Sequence, residues 1–102
     1  MTRGEVWLAQ VGRETRPVVI LTRTAVIDVR QLVTVAEVTT QVRSIAAEVT
    51  VDHTAAGLDR SSVVNCDGIY TVPRSTLTRQ IGSLDDSTMD DLCTAVGYAI
   101  GC

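Results

Sequence analysis

The chain has 102 residues, the size of one small domain, and its 45% hydrophobic and 21% charged residues exclude a disordered tail. The formal net charge is −3, which argues against a broad basic surface for nucleic acid, and all nine basic residues are arginine. Aromatic residues are rare, whereas 16 Val, 6 Ile and 14 Thr make β-branched residues abundant. This excess favours strands over helices.

Two further classes of protein are excluded by simple patterns. The first residues lack the apolar segment of a signal peptide, and the longest apolar run is about four residues, far below the ~20 that span a bilayer. Cysteine occurs at three widely spaced positions, 66, 93 and 102. An odd number of cysteines without a secretion signal predicts reduced thiols in a cytoplasmic protein with no membrane contact.

The first half of the chain reads as strands and loops. Residues 5–9 predict a short strand, and residues 12–15 a polar loop. Residues 16–22 form a continuous apolar run of strand length, with Pro17 at its start because proline cannot donate a ladder hydrogen bond. Residues 24–30 predict a connecting loop with one helical turn.

The next segment continues the strand pattern. Residues 32–40 alternate between two faces and predict a third strand. Two more strands follow at residues 46–51 and 62–72, separated by the turn-like residues 52–57. After an interruption at Pro73, a short last strand is expected at residues 78–82.

The end of the chain changes to a helical period. Asp85 is a candidate N-cap, and Leu84 and Met89 are spaced for a hydrophobic staple. Gly97 weakens a helix, which suggests a close approach there. The apolar stripe comprises Met89, Leu92, Cys93, Val96, Ala99 and Ile100.

Together these elements predict a mainly β (α+β) fold. Five or six short antiparallel strands are too many for a flat sheet in a chain of this length, so we expect a small, strongly bent β-barrel with one C-terminal α-helix. We find no linker or internal repeat, and residues 1–102 are predicted to form a single domain.

Several kinds of chemical site lack support. The only histidine is His53, and the cysteines are separated by 26 and 8 residues, so a metal site is not expected. Neither a nucleophile elbow nor a phosphate-binding glycine motif is present. The acidic residues after Leu84 are better explained as a helix cap and a solvated face.

Two polar features remain. Arg16 enters an apolar strand, where it is either a salt-bridge anchor or an anion clamp. Thr39, Thr40, Gln41 and Arg43 bring hydroxyls, an amide and a guanidinium to the end of the third strand. Each feature alone is compatible with an ordinary surface; together they have the composition of a phosphate-binding site.

At these residues the chain resembles the MazF/PemK family of toxin endoribonucleases. Five segments are similar to family motifs in the right order over nearly the full length: Arg3-Gly4-Glu5-Val6-Trp7, Arg16-Pro17-Val18-Val19-Ile20, Val38-Thr39-Thr40-Gln41, Gly57-Leu58-Asp59-Arg60-Ser61-Ser62-Val63-Val64 and Ile81-Gly82-Ser83-Leu84.

The resemblance implies a fold, an activity and partners. The fold is an SH3-like barrel of the CcdB/PemK type, in a homodimer. The activity is cleavage of single-stranded RNA, mRNA or tRNA, without metal or other cofactor. The partner is a cognate MazE-like antitoxin, whose extended segment covers the RNA groove and inhibits the toxin.

The resemblance also assigns residues. Arg16 and Thr39 stand at the positions that carry the chemistry in the family. The RNA 2′-OH is an internal nucleophile beside the scissile phosphate, so the protein has only to stabilise charge on the phosphate oxygens and move protons. Glu14 and Glu37 are the candidate proton acceptors. The remaining candidate substrate contacts are Thr40, Gln41, Arg43 and Asp67, with Glu14 beside them.

Two departures from the family concern RNA specificity. The first loop, residues 10–15, is shorter than usual, and Gly68 stands where members often carry glutamine. The sequence therefore leaves the RNA recognition sequence open.

Two other functions share the predicted fold. One is a non-enzymatic, CcdB-like toxin that poisons DNA gyrase through its C-terminal helix, and the other is a protein-interaction module. The negative net charge of the whole chain does not exclude RNA binding, because residues 1–84 carry a net charge of +1. The remaining −4 comes from Asp85, Asp86, Asp90 and Asp91 at the start of the helix.

Overall fold

A computed structural model describes all 102 residues. It contains one six-stranded antiparallel sheet and two α-helices. The strands of the sheet run in the order β4-β5-β3-β2-β1-β6. In chain order the elements are β1 (Glu5–Val11), β2 (Glu14–Ile20), α1 (Thr24–Ile27), β3 (Leu32–Thr39), β4 (Glu48–Val51), β5 (Ser62–Pro73), a 3-10 turn (Arg74–Thr76), β6 (Leu77–Ser83) and α2 (Asp86–Ala99).

All six predicted strands and the helical turn are confirmed, but the first hairpin is tighter than predicted. The turn consists of Gly12 and Arg13 alone, and Val11 already pairs with Glu14. Gly12 has φ +62°, the left-handed conformation that a two-residue hairpin turn requires. The prediction of a loop over residues 12–15 was wrong because exposed polar residues at a hairpin end resemble a loop, although their backbone completes the ladder.

The sheet buries apolar side chains on both faces. On one face, α2 covers a cluster of 11 buried residues that includes Val6, Val19 and Val64. On the other face, seven buried residues form a second cluster, to which α1 contributes Ile27 and β6 contributes Leu77. This double burial explains the continuous apolar run of β2, whose successive residues point into different clusters. Neither helix combines the length and apolar character of a membrane span.

Helix α2 begins as predicted. The side chain of Asp85 accepts a hydrogen bond of 2.8 Å from the backbone N–H of Thr88, so Asp85 is the N-cap. The hydrogen bond to Thr88 lowers the pKa of the Asp85 carboxyl. Leu84, the residue before the cap, packs against the cluster that contains Met89, as a hydrophobic staple does.

The predicted apolar stripe of α2 is correct at Met89 and Leu92, which are buried, and wrong at Cys93 and Ile100, which are exposed. Ala95 is buried although the prediction left it out of the stripe. The side chains of Cys93 and Ile100 line a cavity beside α2 instead of packing against a strand, and Sγ of Cys93 accepts a hydrogen bond from Arg3 there. Gly97 does not provide a close approach within this chain, because an added Cβ would lie 3.9 Å from its nearest neighbour, Cys102.

The two edge strands, β4 and β6, are joined by a loop instead of a ladder. Residues 52–58 follow β4 and reach β6, where the N–H of Ser83 donates to the carbonyl of Ala55 at 3.1 Å. Glycine is required on both sides of this contact: Gly57 has φ +76°, and a Cβ on it would lie 1.8 Å from the carbonyl oxygen of Ile81. A Cβ on Gly82 would lie 2.3 Å from the carbonyl carbon of Ala56. We call this contact the seam; it closes the barrel where strand pairing does not.

Candidate functional site

The β2–β3 register explains why the two predicted catalytic residues meet. Val18 pairs with Glu37 across the two antiparallel strands. Arg16 lies two residues before Val18, and Thr39 lies two residues after Glu37. Because the strands are antiparallel, both residues reach the same end and the same face of the sheet. A polar corner is thus built from positions 23 residues apart in the chain.

This corner opens into a cavity of about 360 Å³, which we call the Arg16 pocket. Strands β2 and β3 form one side of it, and the segment before β5 forms the other. Its lining residues are Arg16, Pro17, Glu37, Val38, Thr39, Thr40, Leu58, Asp59, Arg60 and Ser62.

Arg16 is held by two carboxylates. Its Nε and Nη2 donate to one oxygen of Glu14 at 2.8 and 2.5 Å, and its Nη1 lies 3.7 Å from an oxygen of Glu37. The Arg16 side chain is 47% exposed, so an incoming anion can reach it. Hydrogen bonding to Glu14, followed by the charges of Glu14 and Glu37, raises the pKa of Arg16. The guanidinium therefore stays charged and acts as a donor.

The hydroxyl of Thr39 is oriented by the chain that follows it. The backbone N–H of Gln41 donates to Oγ1 of Thr39 at 3.1 Å. A hydroxyl oxygen that accepts one hydrogen bond still has its own O–H to donate. Thr39 is half-buried and Thr40 is exposed at the rim of the pocket.

Tyr70 borders this region of the sheet. Burial raises the pKa of its hydroxyl, and the negative charge of Glu37 raises it further, while the positive charge of Arg16 opposes the shift. Tyr70 packs against the buried cluster on its face of the sheet. It is therefore a neutral neighbour of the Arg16–Glu37 pair.

The structure gathers some of the predicted site residues and not others. Arg16, Thr39 and Thr40 line the pocket, and Glu14 binds Arg16 from outside it. Gln41 meets the pocket only through its backbone bond to Thr39. Arg43 and Asp67 lie outside the lining.

Arg43 is occupied by a different partner. Its Nε donates to Glu48 at 2.9 Å, and the backbone N–H groups of Arg43 and Ser44 donate to the other oxygen of Glu48 at 2.8 and 3.0 Å. The Glu48 side chain is only 3% exposed. Arg43 thus stabilises the β3–β4 connection, and as a substrate contact it stays a prediction.

Asp67 lies on an irregular part of β5. Residues 66–68 form an insertion between the pairs Ala36–Ile69 and Glu37–Asn65, so β5 bulges opposite Glu37. Asp67 itself is exposed, and as a substrate contact it stays a prediction. A Cβ on Gly68 would lie 3.1 Å from a carboxylate oxygen of Glu37, so the glycine leaves space for that carboxylate.

Three polar pocket residues had no role in the sequence-based prediction. Asp59 and Arg60 are exposed at the rim, and Ser62 is buried below them. The available signal was the motif over residues 57–64, which lies in a loop next to a strand, where functional side chains are often found.

A larger cavity of about 590 Å³ lies elsewhere, between α2 and the start of β3. Its lining is half hydrophobic, and it carries Arg3, Arg23 and Arg30 but neither Arg16 nor Thr39. Polar groups suited to act on a phosphate converge in the Arg16 pocket, so we place the candidate site there despite its smaller volume. No three His, Cys, Asp or Glu side chains are grouped so that they could hold a metal ion.

Comparison with known proteins gives a consistent result. Residues 2–100 match the sequence model of a family described as PemK-like, MazF-like toxin of type II toxin-antitoxin system. The chain is 39% identical over 103 residues to the probable endoribonuclease MazF5 of Mycobacterium tuberculosis (strain ATCC 25618 / H37Rv), covering 98% of this chain and 93% of that protein. It is 46% identical over 94 residues to the endoribonuclease MazF3 of the same strain, covering 92% and 89%.

Solved structures agree with the sequence matches. The Mycobacterium tuberculosis toxin MazF-mt6 superposes with a TM-score of 0.88 at 42% identity, covering 95% of this chain and 96% of that one. An endoribonuclease in complex with its cognate antitoxin, from a mycobacterial species, superposes with a TM-score of 0.89 at 26% identity, covering 99% and 95%. These matches confirm the predicted six-stranded sheet with its C-terminal helix.

Proposed function

The chain belongs to the PemK-like, MazF-like toxin family of type II toxin–antitoxin systems, and on this premise we propose that it is an endoribonuclease that cleaves single-stranded RNA in the Arg16 pocket. The observation that carries the proposal is the convergence of Arg16, Thr39 and Glu37 on one cavity. A cationic fork, a hydroxyl donor and a carboxylate are the groups that phosphodiester cleavage needs.

The nucleophile belongs to the substrate. The RNA 2′-oxygen attacks the adjacent phosphorus in line and loses its proton, while the bond from phosphorus to the 5′-oxygen breaks. The products are a 2′,3′-cyclic phosphate and a 5′-OH, whose oxygen takes a proton from water as it leaves. Because the 2′-oxygen is already next to the phosphorus, orientation supplies much of the rate.

Arg16 supplies charge stabilisation. Its planar guanidinium can donate to two phosphate oxygens at once, which a compact ammonium cannot do. Because a guanidinium stays protonated in proteins, Arg16 is not assigned as the general base. To bind a phosphate, the guanidinium exchanges part of its contact with Glu14 or Glu37 for the incoming oxygens.

Thr39 adds a second donor on the neighbouring strand. Since Gln41 already donates to its oxygen, the Thr39 O–H is the group left to face the substrate. Loss of one such preorganised donor costs on the order of 100–1000-fold in rate.

Glu37 is the better placed of the two candidate proton acceptors. It lines the pocket and its side chain is 28% exposed, whereas Glu14 lies outside the lining and is 65% exposed. Glu14 bonds closely to Arg16 and orients it. We therefore assign Glu37 as the acceptor of the 2′-OH proton and Glu14 as a positioning residue.

The proposal includes the partners of the toxin. The chain acts as a cytoplasmic homodimer without a cofactor, and a MazE-like antitoxin inhibits it. Support comes from the relative of similar fold that was solved in complex with its cognate antitoxin.

The test is incubation of the purified chain with RNA of mixed sequence in EDTA, followed by analysis of the new ends. We expect the wild-type chain to leave 5′-OH and cyclic phosphate ends. Arg16→Ala should cleave at no more than about one hundredth of the wild-type rate. Arg79→Ala is the matched control, since Arg79 is exposed and does not line the pocket. Cleavage by Arg16→Ala at the wild-type rate would overturn the site assignment, and inhibition of DNA supercoiling without RNA cleavage would overturn the activity.

A further inference from the structure

The Arg16 pocket contains a second arginine in a different electrostatic state. Arg16 is in contact with two carboxylates, so its positive charge is already balanced before any substrate arrives. Arg60 lines the same pocket and has no side-chain hydrogen bond and no carboxylate within ion-pair distance. The carboxylate of Asp59 also lines the pocket but forms no ion pair with Arg60, so the Arg60 guanidinium is the one that is free to bind an anion directly.

The backbone around Arg60 is fixed at both ends. On one side, Leu58 packs against the main buried cluster and follows the glycine of the seam. On the other side, the hydroxyl of Ser62, which is 3% exposed, donates to the carbonyl oxygen of Arg60 at 3.0 Å. Only the side chain of Arg60 has to be ordered when a ligand binds, which keeps the entropic cost of binding low.

A single RNA strand presents a phosphate at every nucleotide, and the phosphate being cleaved occupies Arg16 and Thr39. A free guanidinium on the opposite wall of the same cavity suits another phosphate of that strand. Resting on the proposed function, we propose that Arg60 is a positioning residue that binds a phosphate neighbouring the scissile one and so fixes the strand across the pocket.

This assignment predicts a particular kinetic pattern. Arg60 touches a phosphate that does not react, so its contact has equal strength in the bound substrate and in the transition state. Arg60→Gln should therefore raise KM on the order of 10-fold and leave kcat within about twofold. A variant of the reacting groups, Thr39→Val, should lower kcat instead.

The decisive experiment measures binding of a pool of mixed-sequence single-stranded RNA made uncleavable by 2′-O-methylation. The logarithm of the affinity falls linearly with the logarithm of the salt concentration, and the steepness of this fall should be smaller by about 0.7 in Arg60→Gln, the value for one phosphate contact on a single strand. Arg60→Lys should restore the slope, since a point charge suffices for a phosphate, and Arg79→Gln should leave it unchanged.

Each outcome decides between the two proposals. An unchanged slope and KM in Arg60→Gln, with a wild-type chain that cleaves RNA, would overturn the role of Arg60 alone. A wild-type chain that binds the methylated pool through Arg60 but cleaves no RNA would overturn the proposed activity alone. If the wild-type chain neither binds nor cleaves RNA, both proposals are wrong.

Discussion

Nη1 of Arg16 lies 3.7 Å from Oε1 of Glu37 on the neighbouring strand. The pair thus places the residue that we propose as proton acceptor beside the guanidinium that we propose as phosphate binder. Both proposed roles therefore depend on the pairing of β2 with β3, which brings the two side chains together.

Replacement of Glu37 by Gln tests its proposed role as the proton acceptor. We expect kcat to fall on the order of 100-fold or more, because a neutral amide cannot accept the 2′-OH proton. Glu14→Gln is the control: it should lower kcat by much less, since Glu14 only orients Arg16. Single-turnover cleavage assays measure both losses, and an unchanged kcat in Glu37→Gln would assign the base elsewhere.

Thr39 and Thr40 form a natural pair for comparison at the end of β3. Thr39→Val should lower kcat on the order of 100–1000-fold because it removes the hydroxyl donor, while Thr39→Ser should retain most of the activity. Thr40→Val should have a much smaller effect, since Thr40 is exposed at the rim. Single-turnover cleavage assays measure the difference, and a larger loss in Thr40→Val would exchange the two assignments.

The buried carboxylate of Glu48 predicts a pH dependence of stability. Burial raises the pKa of this carboxyl, but the hydrogen bonds from Arg43 and Ser44 outweigh burial and leave the pKa below its ordinary value of 4.5. A carboxyl with a lowered folded-state pKa contributes stability that is complete above 4.5 and is lost as the pH falls through the folded-state value. Urea unfolding should show Glu48→Gln less stable than the wild type at pH 7, with the gap narrowing towards pH 3. A constant gap would contradict the assignment.

Two glycines should respond to alanine in opposite directions. Gly82→Ala places a Cβ 2.3 Å from Ala56 across the seam, so we expect a loss of about 1–3 kcal/mol from overpacking. Gly97→Ala adds a Cβ in the last turn of α2 whose nearest neighbour is 3.9 Å away, so helix propensity should stabilise the chain by at most about 1 kcal/mol. Thermal unfolding of the two variants measures both effects, and a stabilised Gly82→Ala would show that the seam is open in solution.

The three thiols should differ in reactivity. Burial, followed by the charge of Asp67, raises the pKa of Cys66 to about 11, and Cys66 is 1% exposed. Cys93 and Cys102 are exposed. With iodoacetamide at pH 8, Cys93 and Cys102 should react in the native protein, whereas Cys66 should react only after unfolding. Mass spectrometry of the labelled chain identifies the protected position, and rapid labelling of Cys66 would contradict the fold around β5.

The elements of the fold were predictable because their signals are local. Alternation, apolar runs and the cap at Asp85 each depend on a few neighbouring residues, and the structure confirms them. The seam was not predictable, since nothing local indicates that Gly57 and Gly82 face each other across the sheet edges. The exposed position of Cys93 was missed because it depends on how far α2 extends over its neighbouring strands.

The candidate site was predictable in part. Arg16 and Thr39 stand in motifs, and strand pairing brings them together. Arg43 is a residue type that often binds phosphate, but its side chain forms an ion pair with the buried carboxylate of Glu48 instead. Arg60 was missed because its position in the pocket depends on the loop that joins the two sheet edges.

The seam divides one connection into two parts with different steric constraints. Residues 52–58 are restricted by close backbone approach, and a larger side chain at Gly57 would separate the sheet edges. Residues 59–61 are exposed and carry no ladder bond, so they can change without disturbing the barrel. Substitutions at these three positions should therefore change the proposed grip on RNA without a loss of thermal stability, which makes them suitable positions for altering the substrate preference of the barrel.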